Sequence, residues 1–501
     1  MTSDNSPDQG PEGSEPSESV LMADRRAKLE RLREAGLDPF PHSFPGRTPI
    51  ASVREAHEDL EDGEETEAPH RVAGRITGRR GMGKAAFIDL VDGSGKIQLQ
   101  SRSDVLGAEQ HERLVGMDLG DHIGVDGVAF KSRRGELTLR VESWVPLAKS
   151  LRPLPDKYHG LEDVETRYRH RELDLIANPE VKRTFVTRAR TIAEIRRWLD
   201  GHDFIEVETP VLQPIYGGAL ARPFTTHHNA LDRDLYLRIA TELYLKRCIV
   251  GGIDRVYELG KDFRNEGVSP KHNPEFTMLE WYEAYADYND NAVRLEQLVA
   301  EVAGLVGGDT RIEREGVEID LAPPWQRLTL TDALREHTGV DLAGRPSREQ
   351  LAEAAGVGDG AKLGWGKLVD TLFSKHVEPK LIHPTFVFDY PVELSPFAKD
   401  HRETEGLVER WEAFVGGVEI ANSFTELNDP DEQRRRFAQQ AEEIARGDDE
   451  AQPHDEDFLR ALEQGMPPTG GVGLGIDRLV MILTGAKSLR EVLLFPAMRS
   501  E

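Results

Sequence analysis

Cysteine is all but missing from this chain. The single one in 501 residues, Cys248, excludes an intrachain disulfide and a thiolate metal cluster, and its neighbours in an expected helix make it a buried structural thiol. Long apolar runs are missing too: none reaches the roughly 18 residues of a membrane-spanning helix. The acidic N-terminus lacks the basic-then-apolar layout of a signal peptide, so the expectation is a soluble, cytoplasmic protein without membrane contact. Positive charge is also in deficit. Lys and Arg number 63 against 90 Asp and Glu, a formal net charge of -27, which argues against generic nucleic-acid binding but leaves room for a local basic surface.

The length suggests two or three domains with ample cores. Residues 1–19, dominated by Ser, Pro, Gly, Asp and Glu, read as a disordered acidic tail. Residues 20–65 form a helical extension, in which Ala23 to Ala35 carries Arg25, Arg26, Lys28, Arg31 and Arg33 and reads as a solvated surface helix before a phosphate contact. Over 66–150 the pattern changes to short alternating strands with a turn at Asp92-Gly-Ser-Gly95, the signature of a small barrel such as an OB-fold. Period 2 turns Ala86, Ile88, Leu90, Ile97, Leu99, Leu137, Leu139 and Val141 inward. It leaves Phe87, Gln98, Gln100, Glu136, Thr138 and Arg140 outward. An aromatic on a polar barrel face is suited to stacking an unpaired base. Residues 151–183 read as a linker, and 184–501 as an α+β domain on an antiparallel sheet flanked by helices, opened by a helix over Thr187 to Leu199.

Within this domain, Arg264-Asn-Glu-Gly267, His272-Asn-Pro-Glu-Phe276 and Met278-Leu-Glu-Trp-Tyr282 set an arginine, an aromatic and carboxylates around one loop between strands, equipment for holding ATP beside a cationic substrate. Alternation puts Phe276, Met278, Glu280 and Tyr282 on one strand face, and Thr277, Leu279 and Trp281 on the other. In Ile420-Ala-Asn-Ser-Phe-Thr-Glu426 it groups Asn422, Phe424 and Glu426. The run Gly471-Val-Gly-Leu-Gly475 enters an apolar helix with Arg478 near its start. It is not a dinucleotide loop, because the early βαβ unit is missing. His227 and His228 point to opposite strand faces with no third ligand in register, against a transition-metal site. The acidic runs 448–450 and 455–457 read as solvated.

With these motifs in hand, the chain resembles the class II lysyl-tRNA synthetases from about residue 20 to its end. The loop after Arg264 is similar to motif 2 of that class, Gly473-Leu-Gly-Ile-Asp-Arg478 to motif 3, and Phe204-Ile-Glu-Val-Glu-Thr-Pro-Val-Leu212 to motif 1. Gly217-Gly-Ala-Leu-Ala-Arg-Pro-Phe224 and Thr226-His-His-Asn-Ala-Leu231 resemble the lysine enzymes more than their aspartate and asparagine relatives. The resemblance implies an N-terminal OB-fold β-barrel followed by a class II catalytic domain with a helical insertion near 326–381. It implies a lysine-tRNA ligase that uses ATP and magnesium, acts on L-lysine and tRNA(Lys), and is a homodimer through motif 1.

It also implies roles. Arg264 would hold the α-phosphate and the lysine carboxylate, Arg478 the γ-phosphate, and Phe276 would stack on adenine, with Glu266, His272 and Asn273 closing the ATP site. Glu412 and Glu419 would bind magnesium, although alternation does not put them on a common face. Glu426 and Tyr282 would take the side-chain ammonium of lysine. Glu242, Glu280 and the backbone at Gly218 would take its α-amino group, with Asn422 at the carboxylate and Phe424 lining the pocket. Arg80, Phe87, Gln98 and Glu136 would read the anticodon. Two rivals are a synthetase-like ligase that puts lysine or β-lysine on a translation factor, whose relatives lack the barrel, and a catalytically dead nucleic-acid-binding protein.

Overall fold

A computed structural model describes residues 18–81, 83–154, 161–358, 363–445 and 452–499. The expected acidic tail lies outside these residues, apart from Glu18 and Ser19, which open the first helix, and so does the acidic run 448–450. The chain divides into two compact units, Met1–Gly160 and Leu161–Glu501.

In the first unit, β1 (Glu65–Arg80), β2 (Ala85–Val91), β3 (Lys96–Arg102), β4 (His122–Lys131) and β5 (Leu137–Ala148) close into a barrel in the order β1-β2-β3-β5-β4. Only β3 and β5 pair in parallel. Alternation selects the core, since Ala86, Ile88, Leu90, Ile97, Leu99, Leu139 and Val141 are fully buried while Phe87, Asp89, Gln98 and Gln100 remain half-buried on the outside. The Asp92 side chain makes the hairpin turn by accepting from the amides of Ser94 and Gly95 at 2.7 and 2.9 Å, an Asx turn. Thr138 departs from expectation. It is buried because parallel pairing sets it beneath Gln98. The first helix runs over Glu18–Glu34, and two of its cations are structural: Arg25 donates to the carbonyls of Ser150 and Leu119, and Lys28 pairs with Asp118.

In the second unit, β6 (Ile205–Glu206), β7 (Leu212–Gln213), β8 (Thr225–His228), β9 (Arg233–Leu237), β10 (Arg255–Phe263) and β11 (Glu275–Ala284) come first. A hairpin of β12 (Arg311–Arg314) and β13 (Val317–Asp320) follows, and then β14 (Gln326–Thr329), β15 (Thr385–Pro391), β16 (Leu407–Val415), β17 (Val418–Thr425) and β18 (Thr469–Gly475). An eight-stranded sheet runs β14-β15-β16-β17-β18-β11-β10-β6. It is antiparallel except at its two edge pairs, as expected for an α+β domain. β7, β9 and β8 form a small sheet of their own.

One face of the large sheet is dry. Leu279, Trp281, Trp411, Val472 and Leu474 pack there with Leu295, Leu298, Val480 and Ile482 from helices Tyr288–Gly307 and Ile476–Thr484. Both buried indoles find acceptors, Trp281 on Asn291 at 3.1 Å and Trp411 on the carbonyl of Tyr288 at 2.6 Å, so neither leaves an unmet donor. Helix Pro179–Gly201 starts earlier than Thr187 because Pro179 occupies its first turn, where a missing amide costs nothing. Between β14 and β15, helices Leu330–Thr338, Arg348–Ala355 and Trp365–His376 pack into a separate core with Val387 and Phe414. With helices covering one face, the chemistry is confined to the other.

Candidate active site

That other face bounds a cavity of about 360 Å³, lined by every second-unit residue singled out above for ATP, lysine or metal. One end of it is built where β11, β18 and β17 lie side by side. Tyr282 pairs with Gly471, and Gly471 with Phe424. A Cβ on Gly471 would overlap Glu426 Oε1 and stand 2.5 Å from Tyr282 Cε1, so the missing side chain is what lets those two groups meet over the strand. Glu426 is fully buried, with its Oε2 against Lys246 Nζ, and its Oε1 has no hydrogen-bond donor among the described residues. It is an acceptor facing space. Burial pushes its carboxyl up to about 8 against the opposing pull of Lys246. Glu280 is likewise raised to about 8, by burial and then by Asp262 and Glu242, and accepts from Tyr282 Oη at 3.3 Å.

Glu242 opens the helix Glu242–Val250 and lies one turn from Lys246, whose Nζ is 2.6 Å away. Gly218, at φ +89°, packs so tightly that a Cβ would come 2.9 Å from the Cβ of Glu242. Only glycine suits that position. Its amide donates to the side-chain oxygen of buried Gln452 at 3.1 Å, and Gln452 Nε2 bonds the carbonyl of Ala219. A side chain from far along the sequence therefore latches this loop.

At the other end, the Arg264 guanidinium lies 5.1 Å from the centre of the Phe276 ring, a cation beside an aromatic plane. Arg478 Nη1 donates to Glu419 Oε2 at 2.9 Å, and Nη2 meets His272 Nε2 at 3.3 Å. The imidazole of His272 is in turn held by Ser269 at 2.8 Å. Desolvation, and then Arg478, lowers the His272 pKa, so the ring stays neutral at pH 7 and can accept. Glu266 is exposed on the loop. Asn273 reaches the rim with both amide atoms engaged, on the carbonyl of Glu275 at 2.6 Å and the amide of Ala497 at 3.1 Å.

Between the two ends stand Glu412 and Glu419, and a bulge explains how they come together. Glu412 pairs with Asn422 and Ala413 with Ala421, but Phe414 pairs with Glu419, so Ile420 is an extra residue in β17. The bulge reverses the alternation. Glu419 thus turns to the same half-buried side as Asn422 and Phe424. Burial raises the Glu412 carboxyl to about 7, with Glu419 adding to the shift and Arg410 opposing it. Arg410 forms an ion pair with Glu412, and its Nε donates to Asn422 Oδ1 at 3.1 Å. This leaves the Asn422 amide nitrogen as the donor toward the cavity. Among the described residues no cluster of three or more metal-ligating side chains occurs. His227 is engaged by Asp234 at 2.8 Å.

In the barrel, Arg80 pairs across from Phe87, Phe87 from Gln100, and Asp89 from Gln98, so the nominated residues of β1 to β3 share one outer face. Thr138 donates to Gln98 Oε1 at 3.0 Å and turns the amide nitrogen outward. Glu136 is exposed, just before β5.

Sequence reading missed three residues at the site: Lys246, Arg410 and Gln452. The first two looked like ordinary helix and strand charges, and nothing local distinguishes Gln452.

Comparison with known proteins agrees with this geometry. Residues 163–499 match the family model described as tRNA synthetases class II (D, K and N), and residues 70–147 match that of the OB-fold nucleic acid binding domain. A lysine-tRNA ligase of Pelotomaculum thermopropionicum is 52% identical over 493 residues, covering 97% of this chain and 96% of the relative. One from Moorella thermoacetica is 52% identical over 485 residues, covering 96% and 98%. One from a Synechococcus species is 52% identical over 488 residues, covering 96% and 100%.

Proposed function

The chain belongs to the class II lysyl-tRNA synthetase family, and from that premise we propose that it joins L-lysine to tRNA(Lys) at the expense of ATP. The observation that carries the lysine assignment is the cluster of buried carboxyl groups at Glu426, Glu280 and Glu242 beside Tyr282, in which Lys246 pairs with Glu242 and Glu426 while Glu426 Oε1 has no donor among the described residues. Buried carboxylates in excess of their cations cost several kcal/mol, and incoming ammonium groups remove that cost. In this reading Glu426 and Tyr282 receive the side-chain ammonium. Glu242, Glu280 and the Gly218 carbonyl receive the α-amino group. The Gly218 amide is already committed to Gln452, which leaves its carbonyl for the task. Asn422 Nδ2 and Arg264 then hold the lysine carboxylate, with Phe424 as the wall.

Adenine stacks on Phe276, Arg264 also meets the α-phosphate, and Arg478 meets the γ-phosphate, with Glu266 and His272 at the rim. The lysine carboxylate attacks the α-phosphorus and diphosphate departs. The terminal ribose hydroxyl of tRNA then attacks the aminoacyl carbonyl and AMP departs. Neither step uses a protein nucleophile, so the protein's work is alignment and charge neutralisation. Glu412 and Glu419 fit magnesium, a hard cation usually held by one or two carboxylates together with substrate phosphates. When bound, it would neutralise phosphate charge.

Phe87, Arg80, Gln98 and Glu136 read the anticodon, Phe87 by stacking. Support comes from their common outer face and from Thr138, which orients Gln98. The protein works in the cytoplasm as a homodimer, for which the support is the exposed apolar side chains of the motif 1 segment, Ile205, Val211 and Leu212. No helix among the described residues is long and apolar enough to cross a membrane. Sedimentation as a stable monomer at micromolar concentration would refute the dimer.

The deciding experiment is ATP-diphosphate exchange with each of the twenty amino acids, followed by charging of total tRNA. Lysine-specific exchange with charging of lysine tRNA is expected. Exchange without charging would favour a ligase acting on a translation factor, and no exchange would leave a scaffold.

A further inference from the structure

Lys246 has no role toward substrate in the reading above, yet it lies behind the amine end of the pocket. Its side chain is fully buried, with Nζ 2.6 Å from Glu242 Oε1, in contact with Glu426 Oε2, and 5.3 Å from the centre of the Phe397 ring. A wholly apolar cluster would pack there at lower cost than this ion triad, because buried ion pairs seldom repay their desolvation. Both carboxylates it contacts are the ones assigned to the substrate's ammonium groups.

We propose that Lys246 is a specificity-determining positioning residue: a resident ammonium, shared by Glu242 and Glu426, that holds both side chains in place and favours their ionisation as substrate enters. With substrate bound, Glu242, Glu280 and Glu426 supply the negative charge at this end, and Lys246 balances one of the three. The remaining deficit of two positive charges matches what a dibasic amino acid brings. A monoamine leaves one buried carboxylate uncompensated.

The groups facing this cluster are few. Glu242 shares the helix with Lys246, Glu426 comes from the end of β17, and β11 presents Glu280 and Tyr282. Asp262 of β10 acts on Glu280 and is itself 3.1 Å from Arg238 Nε. Burial raises Glu242 and Glu426, and Lys246 draws both back down. Burial lowers Lys246, but the two carboxylates more than compensate, so it stays charged. Without that cation the carboxyls hold their protons more tightly, and substrate displaces them at greater cost.

The inference rests on the lysine-ligase reading, so wild-type exchange is measured first. Failure with lysine there would overturn that reading. With wild type active, Lys246→Met is expected to raise the KM for lysine at pH 7.5 by about tenfold or more while the KM for ATP stays within about twofold. The lysine defect should shrink as pH rises toward 9, because deprotonation restores the anions. Discrimination between lysine and norleucine, its neutral isostere, should narrow in parallel. A lysine KM within twofold of wild type across this pH range overturns the inference, as does an equal, pH-independent loss of lysine and ATP. Lys246→Arg keeps the charge and should retain the discrimination against norleucine. If Lys246→Met does not fold, loss of that discrimination in a folded Lys246→Arg protein would overturn the inference instead.

Discussion

Gly471→Ala adds one methyl group at the point where Glu426 and Tyr282, the two side chains proposed to receive the lysine ammonium, cross. The new Cβ would overlap Glu426 Oε1 and lie 2.5 and 2.8 Å from Tyr282 Cε1 and Cδ1. Glu426 and Tyr282 are 1% and 3% exposed, so neither can swing into solvent. The φ of Gly471 lies outside the left-handed region, which makes the effect steric and not a matter of backbone strain. Relief means pushing Glu426 off Lys246, at about 3–5 kcal/mol for a broken buried ion pair, or crowding the ring, at about 1–3 kcal/mol. At about 3 kcal/mol, where the two ranges meet, the loss in lysine kcat/KM is about 100-fold. The assay is lysine-dependent ATP-diphosphate exchange at saturating ATP, with the KM for ATP measured alongside and expected within about threefold of wild type. A folded Gly471→Ala enzyme with lysine kcat/KM within fivefold of wild type would refute the argument that this glycine exists to bring Glu426 and Tyr282 together.

Phe87→Ala should weaken tRNA binding by about 1–3 kcal/mol, read as a raised KM for tRNA in charging, with lysine-dependent exchange unchanged; loss of exchange instead would contradict the division of labour. Glu412→Gln should raise the magnesium needed for half-maximal exchange by about 10–100-fold, and chelation should abolish exchange in the wild type; an unaltered magnesium dependence in the variant would remove Glu412 as a ligand. Glu280 and Glu426 are held up at about 8, so below that pH lysine binding must expel protons. Calorimetry in buffers of different ionisation enthalpy should record that release at pH 7, and the KM for lysine should fall as pH rises through about 8. The same shift has a stability consequence. These carboxyls have an ordinary value of 4.5, so between 4.5 and about 8 the folded state binds more protons than the unfolded one. These two groups therefore make the free enzyme less stable as pH rises through that window. A Tm without such a downward contribution, tested by comparison with Glu426→Gln, would contradict it.

Period-2 alternation made much of this site legible. Phe276, Glu280 and Tyr282 on one side of β11, and Leu279 and Trp281 on the other, follow from a regular strand with one dry face. The barrel interior follows for the same reason. Where regularity fails, so does the reading. Glu419 could not be placed because Ile420 interrupts the alternation, and bulges leave little trace in composition. Thr138 was assigned outward on parity alone, yet a parallel neighbour covers it. Lys246 and Arg410 were passed over because a charged side chain in a helix or strand is ordinarily solvated; their significance depends on partners on other elements, Glu426 far along the chain in one case and Asn422 on the neighbouring strand in the other. Gln452 is the extreme case, as its partners precede it by more than two hundred residues.

The extra residue at Ile420 also makes β17 a ruler. With it, Glu419, Asn422, Phe424 and Glu426 follow one another past the cavity in the order in which the ligands proposed for them would lie: metal and phosphate, then carboxylate, then aliphatic stem, then terminal ammonium. Chain spacing of about 3.3 Å per residue sets these graduations, not independent loops that could drift apart. The carboxylate mark at Asn422 is within the paired strand, and the ammonium mark at Glu426, one residue beyond its end, is still pinned by its amide to the carbonyl of Thr469 at 2.8 Å. Both ends of the scale are thus fixed to the sheet, so a substrate of the wrong length cannot satisfy one mark without missing the other.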